Sequence, residues 1–138
     1  MALSTAVYTI LSGNATLAGA VSTRIYPGGV PADATLPLVV YEIGDIQPVI
    51  AIGDINSWDE AELVVTVYST YHSNTETYAG YVRTALDGYT GTVSTEKIDT
   101  IIYRGQSPDF EPDWTVGDSP QGIAVFTRTL NFTIIRLT

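Results

Sequence analysis

The chain has 138 residues, of which 45% are hydrophobic and 15% charged, enough for one domain whose core needs no cross-links. It contains no cysteine, which excludes disulfides, thiolate metal sites and cysteine nucleophiles. The net charge of −9 excludes a surface built to bind nucleic-acid phosphates or an anionic membrane. There is no secretory signal pattern and no apolar run of the roughly 18 residues that span a bilayer. We expect a single, unexported domain over residues 1–138.

The N-terminal segment predicts two short helices. Its first apolar residues recur at the spacing of a helical stripe: Leu3, Val7, Ile10 and Leu11. Gly13 is expected to end this helix, and Asn14 to cap a second one. Residues 24–31 then combine two prolines with two glycines, which predicts a connector containing a short strand at residues 24–26.

Two segments rich in β-branched and aromatic residues, 36–44 and 60–70, predict a β-hairpin. The residues between them are too apolar for a simple connection: Ile46, Val49, Ile50, Ile52, Ile55 and Trp58. We therefore predict a projecting hairpin arm over residues 45–59. The alternative, in which the arm folds back over the domain's own core, stays open.

A third helix is predicted to follow the hairpin. Ser73 and Glu76 have the spacing of a capping box, which places the helix start at Ser73. The predicted apolar stripe has helical spacing: Tyr78, Val82, Ala85, Leu86 and Tyr89. Asp87 and Gly88 supply the stop signal.

Residues 98–104 and 123–137 predict the last two strands. Between them, an acidic aromatic loop over residues 106–121 holds three prolines, four carboxylates, and two aromatic side chains expected to be exposed, Phe110 and Trp114. The order α-β-β-α-β-β predicts an α+β two-layer sandwich with a four-stranded, mainly antiparallel sheet, helices on one face and the long hairpin arm.

Arg128 falls on the apolar face of the last predicted strand, where a charge is out of place. Three explanations stay open at the level of the sequence. A bulge could reverse the register, the charge could protect an edge strand from pairing, or a salt bridge could cross a subunit boundary.

The sequence offers little chemistry. The single histidine, His72, lacks a placed partner, so an ordinary surface role is favoured over catalysis. Asp109, Glu111 and Asp113 alternate like the start of a calcium-binding loop, but Trp114 stands where that loop needs glycine and Pro120 where it needs glutamate. We predict no catalytic residue, no metal and no cofactor.

Apolar and aromatic anchors outside the predicted core are typical of protein–protein interfaces. The candidate contact residues are Ile50, Ile52, Ile55, Trp58, Phe110, Trp114 and Arg128.

Five segments, taken in order, resemble the tail-completion, or tail-terminator, proteins of long-tailed bacteriophages and gene transfer agents. They are the helix at residues 6–12, Arg24-Ile25-Tyr26-Pro27, the strand at residues 36–41, the helix end at residues 82–88, and Thr127–Phe132. Together they span almost the whole chain. The long isoleucine-rich arm and the acidic aromatic loop depart from the family pattern.

The resemblance implies an α+β structural protein, not an enzyme, that assembles as a ring, usually of six copies. Such a ring sits on the last ring of the tail tube, ends tube growth and provides the head-joining surface. The implied partners are further copies of the chain, the tail tube protein and a head–tail connector or neck protein. The implied location is the head-proximal end of the tail in the virion, and the host cytoplasm during assembly.

The charge agrees with that role. Six copies at −9 each place −54 on a ring, so DNA is expected to pass the lumen without specific binding. A closed ring also needs two different complementary patches on each copy, and the arm and the strand carrying Arg128 are the candidates. Two other readings remain: a head-side neck or connector completion protein, and, more distantly, a small hydrolase or ligand-binding domain using His72.

Overall fold

The computed structural model describes residues 3–31, 34–50, 57–93, 95–112, 114–116, 119–120 and 122–137. Its helices are α1 (Leu3–Ser12), α2 (Ala15–Val21) and α3 (His72–Leu86). Its strands are β1 (Ile25–Pro27), β2 (Leu38–Ile50), β3 (Ser57–Ser69), β4 (Gly91–Val93), β5 (Glu96–Glu111), β6 (Thr115–Val116), β7 (Ser119–Pro120) and β8 (Val125–Leu137).

The fold is α+β, built on a six-stranded sheet in the order β1-β2-β3-β8-β5-β4; β6 and β7 form a separate pair. β1 runs parallel to β2, and the other neighbours in the sheet are antiparallel. The four predicted strands correspond to β2, β3, β5 and β8, but the prediction of a four-stranded sheet is wrong. The three-residue strands β1 and β4 extend the sheet at its two edges. β1 overlaps the short strand predicted at residues 24–26, whereas β4 was not predicted, because a strand this short carries little hydrophobic periodicity.

The two N-terminal helices form where the sequence predicts them. The buried residues of α1 form one stripe: Leu3, Ala6, Val7, Ile10 and Leu11. Asn14 caps α2, because its Oδ1 accepts a hydrogen bond of 2.9 Å from the backbone N–H of Leu17. Leu17 and Val21 are buried, so α2 also packs on the core.

Helix α3 begins one residue earlier than predicted and without the capping box. Tyr71 is the N-cap residue and makes no side-chain capping bond, while the Thr75 hydroxyl donates to the His72 carbonyl oxygen at 2.6 Å. The buried stripe of α3 is Thr75, Ala79, Val82 and Leu86. Tyr78 and Ala85, which were predicted in this stripe, are only half-buried.

The main core lies between the three helices and the inner face of the sheet. Strands β3 and β8 pair without a register shift, so their alternate residues point into one layer. The largest buried side chains of this core are Leu11, Leu17, Leu63, Leu86, Ile101, Leu130, Phe132 and Ile134. Burial of this set supplies the hydrophobic stabilisation of the domain.

A smaller cluster covers one end of the opposite, outer face. Trp114 packs there against Leu38 and Val125, with Tyr68 beside it at a ring-centroid distance of 6.3 Å. The Trp114 side chain is only 6% exposed. The expectation of an exposed tryptophan is therefore wrong, because this ring fills a core on the second face of the sheet.

The predicted acidic loop is also shorter than expected. Residues 106–111 belong to β5, where they pair with residues 125–130 of β8. Pro108 is compatible with this strand because, among the described residues, no second strand pairs with this part of β5, and a proline nitrogen can face away from the partner strand.

Candidate interface surfaces

One end of the sheet carries an exposed aromatic cluster, which we call the aromatic end: Tyr71, His72, Phe110 and Phe126. Phe110 lies opposite Phe126 in the β5–β8 ladder, with ring centroids 4.8 Å apart. His72, at the start of α3, meets Phe126 edge-on at 5.6 Å. Phe110 is 47% exposed and Tyr71 67%. Phe110 is therefore exposed, as the sequence predicts, and it lies on an apolar surface of the kind that binds partners. Its contact role stays a prediction.

Arg128 lies next to the aromatic end and beneath α3. Its Nη2 is 3.5 Å from a carboxylate oxygen of Glu76, and its Nη1 donates to the side-chain oxygen of Gln106 at 3.3 Å. β8 is a central strand paired on both sides, with no register shift at this position. The bulge and the edge-strand explanations for Arg128 are therefore wrong.

The guanidinium of Arg128 is nevertheless not fully satisfied. Its side chain is 15% exposed, and its Nε is buried without a hydrogen-bond partner among the described residues. The ion pair with Glu76 lies within one chain. A further salt bridge across a subunit boundary stays a prediction.

At the opposite end of the sheet, the described residues of the predicted arm, 45–50 and 57–59, continue strands β2 and β3. Residues 51–56 lie outside the described residues, so projection of the arm stays a prediction. β2 and β3 pair as far as Ile50 and Ser57, while the described part of β8 ends beside Trp58. Ile46 is 45% exposed and Trp58 is half-buried. Ile52 and Ile55 lie outside the described residues, as does the side chain of Ile50, so their contact role stays a prediction.

A partly buried ionic cluster that the sequence analysis missed lies at this end of the sheet. Arg136 donates from Nη2 to Asp59 Oδ2 at 2.6 Å and from Nη1 to Glu96 Oε2 at 3.3 Å. The hydrogen bond with Asp59 raises the pKa of Arg136 above its usual value, so the cation is held. These contacts tie β3, β8 and β5 together near the last described pairs of the β2–β3 hairpin.

The outer face of the sheet, opposite the helices, is acidic. Its exposed carboxylates lie on β2, β3 and β5: Glu42, Asp45, Glu60, Glu62, Asp109 and Glu111. Within the described part of the chain, none of these six forms an ion pair. Asp109 and Glu111 share this face because they alternate along a strand, not because they turn into a calcium loop.

Polar side chains lie beside these carboxylates on the outer face, together with the half-buried Val64 and Ile135. The hydroxyls of Thr66 and Thr129 lie 3.4 Å apart across β3 and β8, and Arg104 Nε donates to the Thr133 hydroxyl at 3.0 Å. Burial, and to a lesser extent the Glu111 carboxylate, raise the pKa of Tyr68. The acidic face is thus a solvated surface with a net negative charge.

His72 has surroundings typical of a surface histidine. Its Nδ1 is 3.8 Å from a carboxylate oxygen of Glu76, and both side chains are more than half exposed. Among the described residues there is no group of three or more His, Asp or Glu side chains arranged to hold a metal ion.

Comparison with known protein families identifies the family to which the chain belongs. Residues 5–116 match the family model described as tail completion protein gp17. The chain belongs to the tail completion protein gp17 family. Membership identifies it as a structural protein associated with the phage tail. The acidic outer face, the arm and the aromatic end are therefore surfaces of a tail completion protein.

A solved structure shares the fold of this tail completion protein. The chain is similar to a chain in the virion of a native gene transfer agent particle, with a TM-score of 0.71 and 19% sequence identity. The match covers 99% of this chain and 96% of that chain. No curated protein sequence matches.

Within the described residues, no helix is both long and apolar enough to cross a membrane.

Proposed function

We propose that this tail completion protein forms a ring, of six copies, on the head-proximal end of the tail tube. The ring ends polymerisation of the tube and provides the surface to which the head is joined. The observation that supports the proposal is that two different apolar sites, Ile46 with Trp58 and the aromatic end, lie at opposite ends of the same strands.

The distance between these surfaces suits a subunit placed between two partners. β3 has 13 residues from the arm to the aromatic end, which corresponds to about 40 Å at roughly 3.3 Å per residue. A subunit whose strands run from tube to head meets one partner at each end. Because the two apolar ends differ, each selects its own partner, the tail tube protein or a head-side connector.

The acidic face completes the proposal. In a ring of this kind, the outer face of the sheet lines the lumen through which DNA passes. Its unpaired carboxylates repel a phosphate backbone, so the duplex slides without binding.

The contact residues proposed from the structure are Ile46 and Trp58 on the arm and Phe110 at the aromatic end. Ile50, Ile52 and Ile55 remain in the proposal from the sequence. Trp114 leaves it, because its ring is already buried within the chain. Arg128 is retained only as a neighbour of Phe110 and Phe126, since its ion pair is internal.

Gold-labelled antibodies against the chain test the location. On purified particles we expect label at the junction of head and tail, at one place per particle. Particles from a strain lacking the gene, complemented with an unrelated tail gene, are the control for antibody specificity. Label along the tube, at the distal tip, or absent from particles that contain tails would contradict the proposal.

A further inference from the structure

The first 23 residues carry no Asp, Glu, Lys or Arg, although these types make up 15% of the chain. Arg24 is the first charged side chain. Helices α1 and α2 lie entirely within this segment, so the part of the helical layer that they form is uncharged. The sheet face on the other side of the domain carries carboxylates that form no ion pair with any described residue.

A groove of about 280 Å³ opens where the C-terminal ends of α1 and α3 meet the edge strand β4. Among the described residues its lining includes no charged side chain, and consists mainly of Ile10, Gly13, Asn14, Ala85, Tyr89 and Val93. The charged side chains of the adjoining turn, Arg83 and Asp87, pair with each other at 3.7 Å. The described lining of the groove is therefore free of ionised side chains.

We propose that this groove is the surface on which a second copy of the chain packs. Each copy carries −9, so two copies that met through their carboxylates would repel one another and would have to desolvate those groups. Contact between like-charged chains is least costly where charge is absent. The centres of protein interfaces are depleted of charged residues for the same reason.

The charge of a partner also decides which surface of the domain it would bind, and this distinguishes a second copy from a basic partner. A basic partner would be drawn to the unpaired carboxylates of the sheet, because complementary potentials steer association. It would gain nothing from a neutral groove on the opposite side. A like-charged partner selects the neutral groove, and another copy of this chain is such a partner.

The inference rests on the proposed ring and adds the lateral contact to it. With the acidic face turned to the lumen, neighbouring copies meet at the edges of the sheet. The groove lies at the β4 edge, whereas Arg128 lies on the central strand β8. The groove therefore supplies one of the lateral patches that a closed ring needs, in place of the strand carrying Arg128, while the arm end of the sheet stays with a tube or head-side partner.

The absence of cysteine allows a direct test. Ala85→Cys and Thr9→Cys place single thiols on opposite walls of the groove, and each is labelled with benzophenone maleimide after the variant has folded. The labelled chains are supplied during assembly to particles that lack the gene, and the purified particles are irradiated. We expect a product of twice the 14.8 kDa of one chain from both probes.

Asn131→Cys, labelled in the same way on the acidic face, is the matched control and should give no two-copy product. An incorporated chain that yields no two-copy product from either groove probe overturns the inference and leaves the proposed function standing. A cross-link from the groove to another virion protein also overturns it. Failure of the unlabelled wild-type chain to enter particles overturns the proposed function itself, and the inference with it.

Discussion

Trp114 and Phe110, the two aromatic residues of the predicted acidic loop, have different roles in the structure. Trp114→Ala should lower the free energy of unfolding by about 3 kcal/mol, because it empties the core on the outer face. Phe110→Ala removes one stacked ring from a surface pair and should cost about 1 kcal/mol or less. Urea denaturation of the two variants measures both values.

The effects of the two substitutions on head attachment should have the opposite order to their effects on stability. Phe110→Ala should reduce the fraction of tails joined to heads while the protein stays folded. Trp114→Ala should affect attachment only in proportion to the amount of unfolded protein. A Phe110→Ala variant with normal attachment would remove the aromatic end from the proposed contact surface.

Tyr68 links the stability of the domain to alkaline pH. Burial and then Glu111 raise its pKa above 10.0 in the folded state, so the folded protein holds this proton more tightly than the unfolded chain. Its contribution to stability is complete below about pH 10 and is lost as the pH rises through the folded pKa. Tyr68→Phe should therefore lose less stability than the wild type between about pH 9 and about pH 11.

Tyr71→Phe is the matched control for Tyr68→Phe. Tyr71 is an exposed tyrosine close to the same end of the sheet, so this variant should follow the wild-type pH profile. Denaturation at each pH provides the comparison. Equal losses in the wild type and Tyr68→Phe would show that Tyr68 is not a source of the alkaline instability.

At the scale of elements, the free edge of β5 needs protection. Residues 104–111 pair with β8 on one side, and β4 covers only residues 96–98 on the other. Pro108 interrupts this open edge because it has no N–H to offer a second strand. Pro108→Thr should therefore increase self-association, detected as a higher mean mass in light scattering.

Ser107→Thr is the control for Pro108→Thr. It places a β-branched residue on the same strand while Pro108 stays in place, and it should leave the mean mass unchanged. Equal self-association of the two variants would show that β-propensity, and not the restored N–H, is responsible.

Elements whose signals are local could be predicted from the sequence. The stripe of α1, the Asn14 cap and the β2–β3 hairpin depend on neighbouring residues, and all three are confirmed. The length of β5 could not be predicted. Its Ser107-Pro108-Asp109 segment favours a turn, and only pairing with the distant strand β8 holds it extended.

The contact surfaces were predictable to different degrees. The exposure of Phe110 follows from its place in a polar segment. The burial of Trp114 depends on packing with Leu38 and Val125, which no local pattern reveals. The uncharged N-terminal segment, in contrast, can be read directly from the sequence. That it forms one wall of a groove beside β4 requires the structure.

At the scale of the whole molecule, negative charge is concentrated on one side of the sheet. The acidic outer face and the uncharged N-terminal helices lie on opposite sides of one sheet. The acidic face should keep duplex DNA from binding even at low salt. The combined substitution Glu42→Lys, Glu60→Lys and Glu62→Lys should create salt-dependent DNA binding, measurable by fluorescence anisotropy of a labelled duplex.

The same three glutamates changed to glutamine provide the control. This variant loses three negative charges without gaining positive ones, so it should bind DNA much more weakly than the lysine variant. DNA binding by the wild type at moderate salt would contradict a lumen that lets DNA slide.

The central claim is that this chain ends the growth of the tail tube and allows the head to join. Deletion of its gene, followed by negative-stain electron microscopy of the lysate, tests the claim most directly. We expect tails of uncontrolled length lying apart from filled heads, and restoration of tail length and head attachment by the wild-type gene. Tails of normal length left unattached would instead indicate a head-side neck protein, and intact, infectious particles would contradict the structural role altogether.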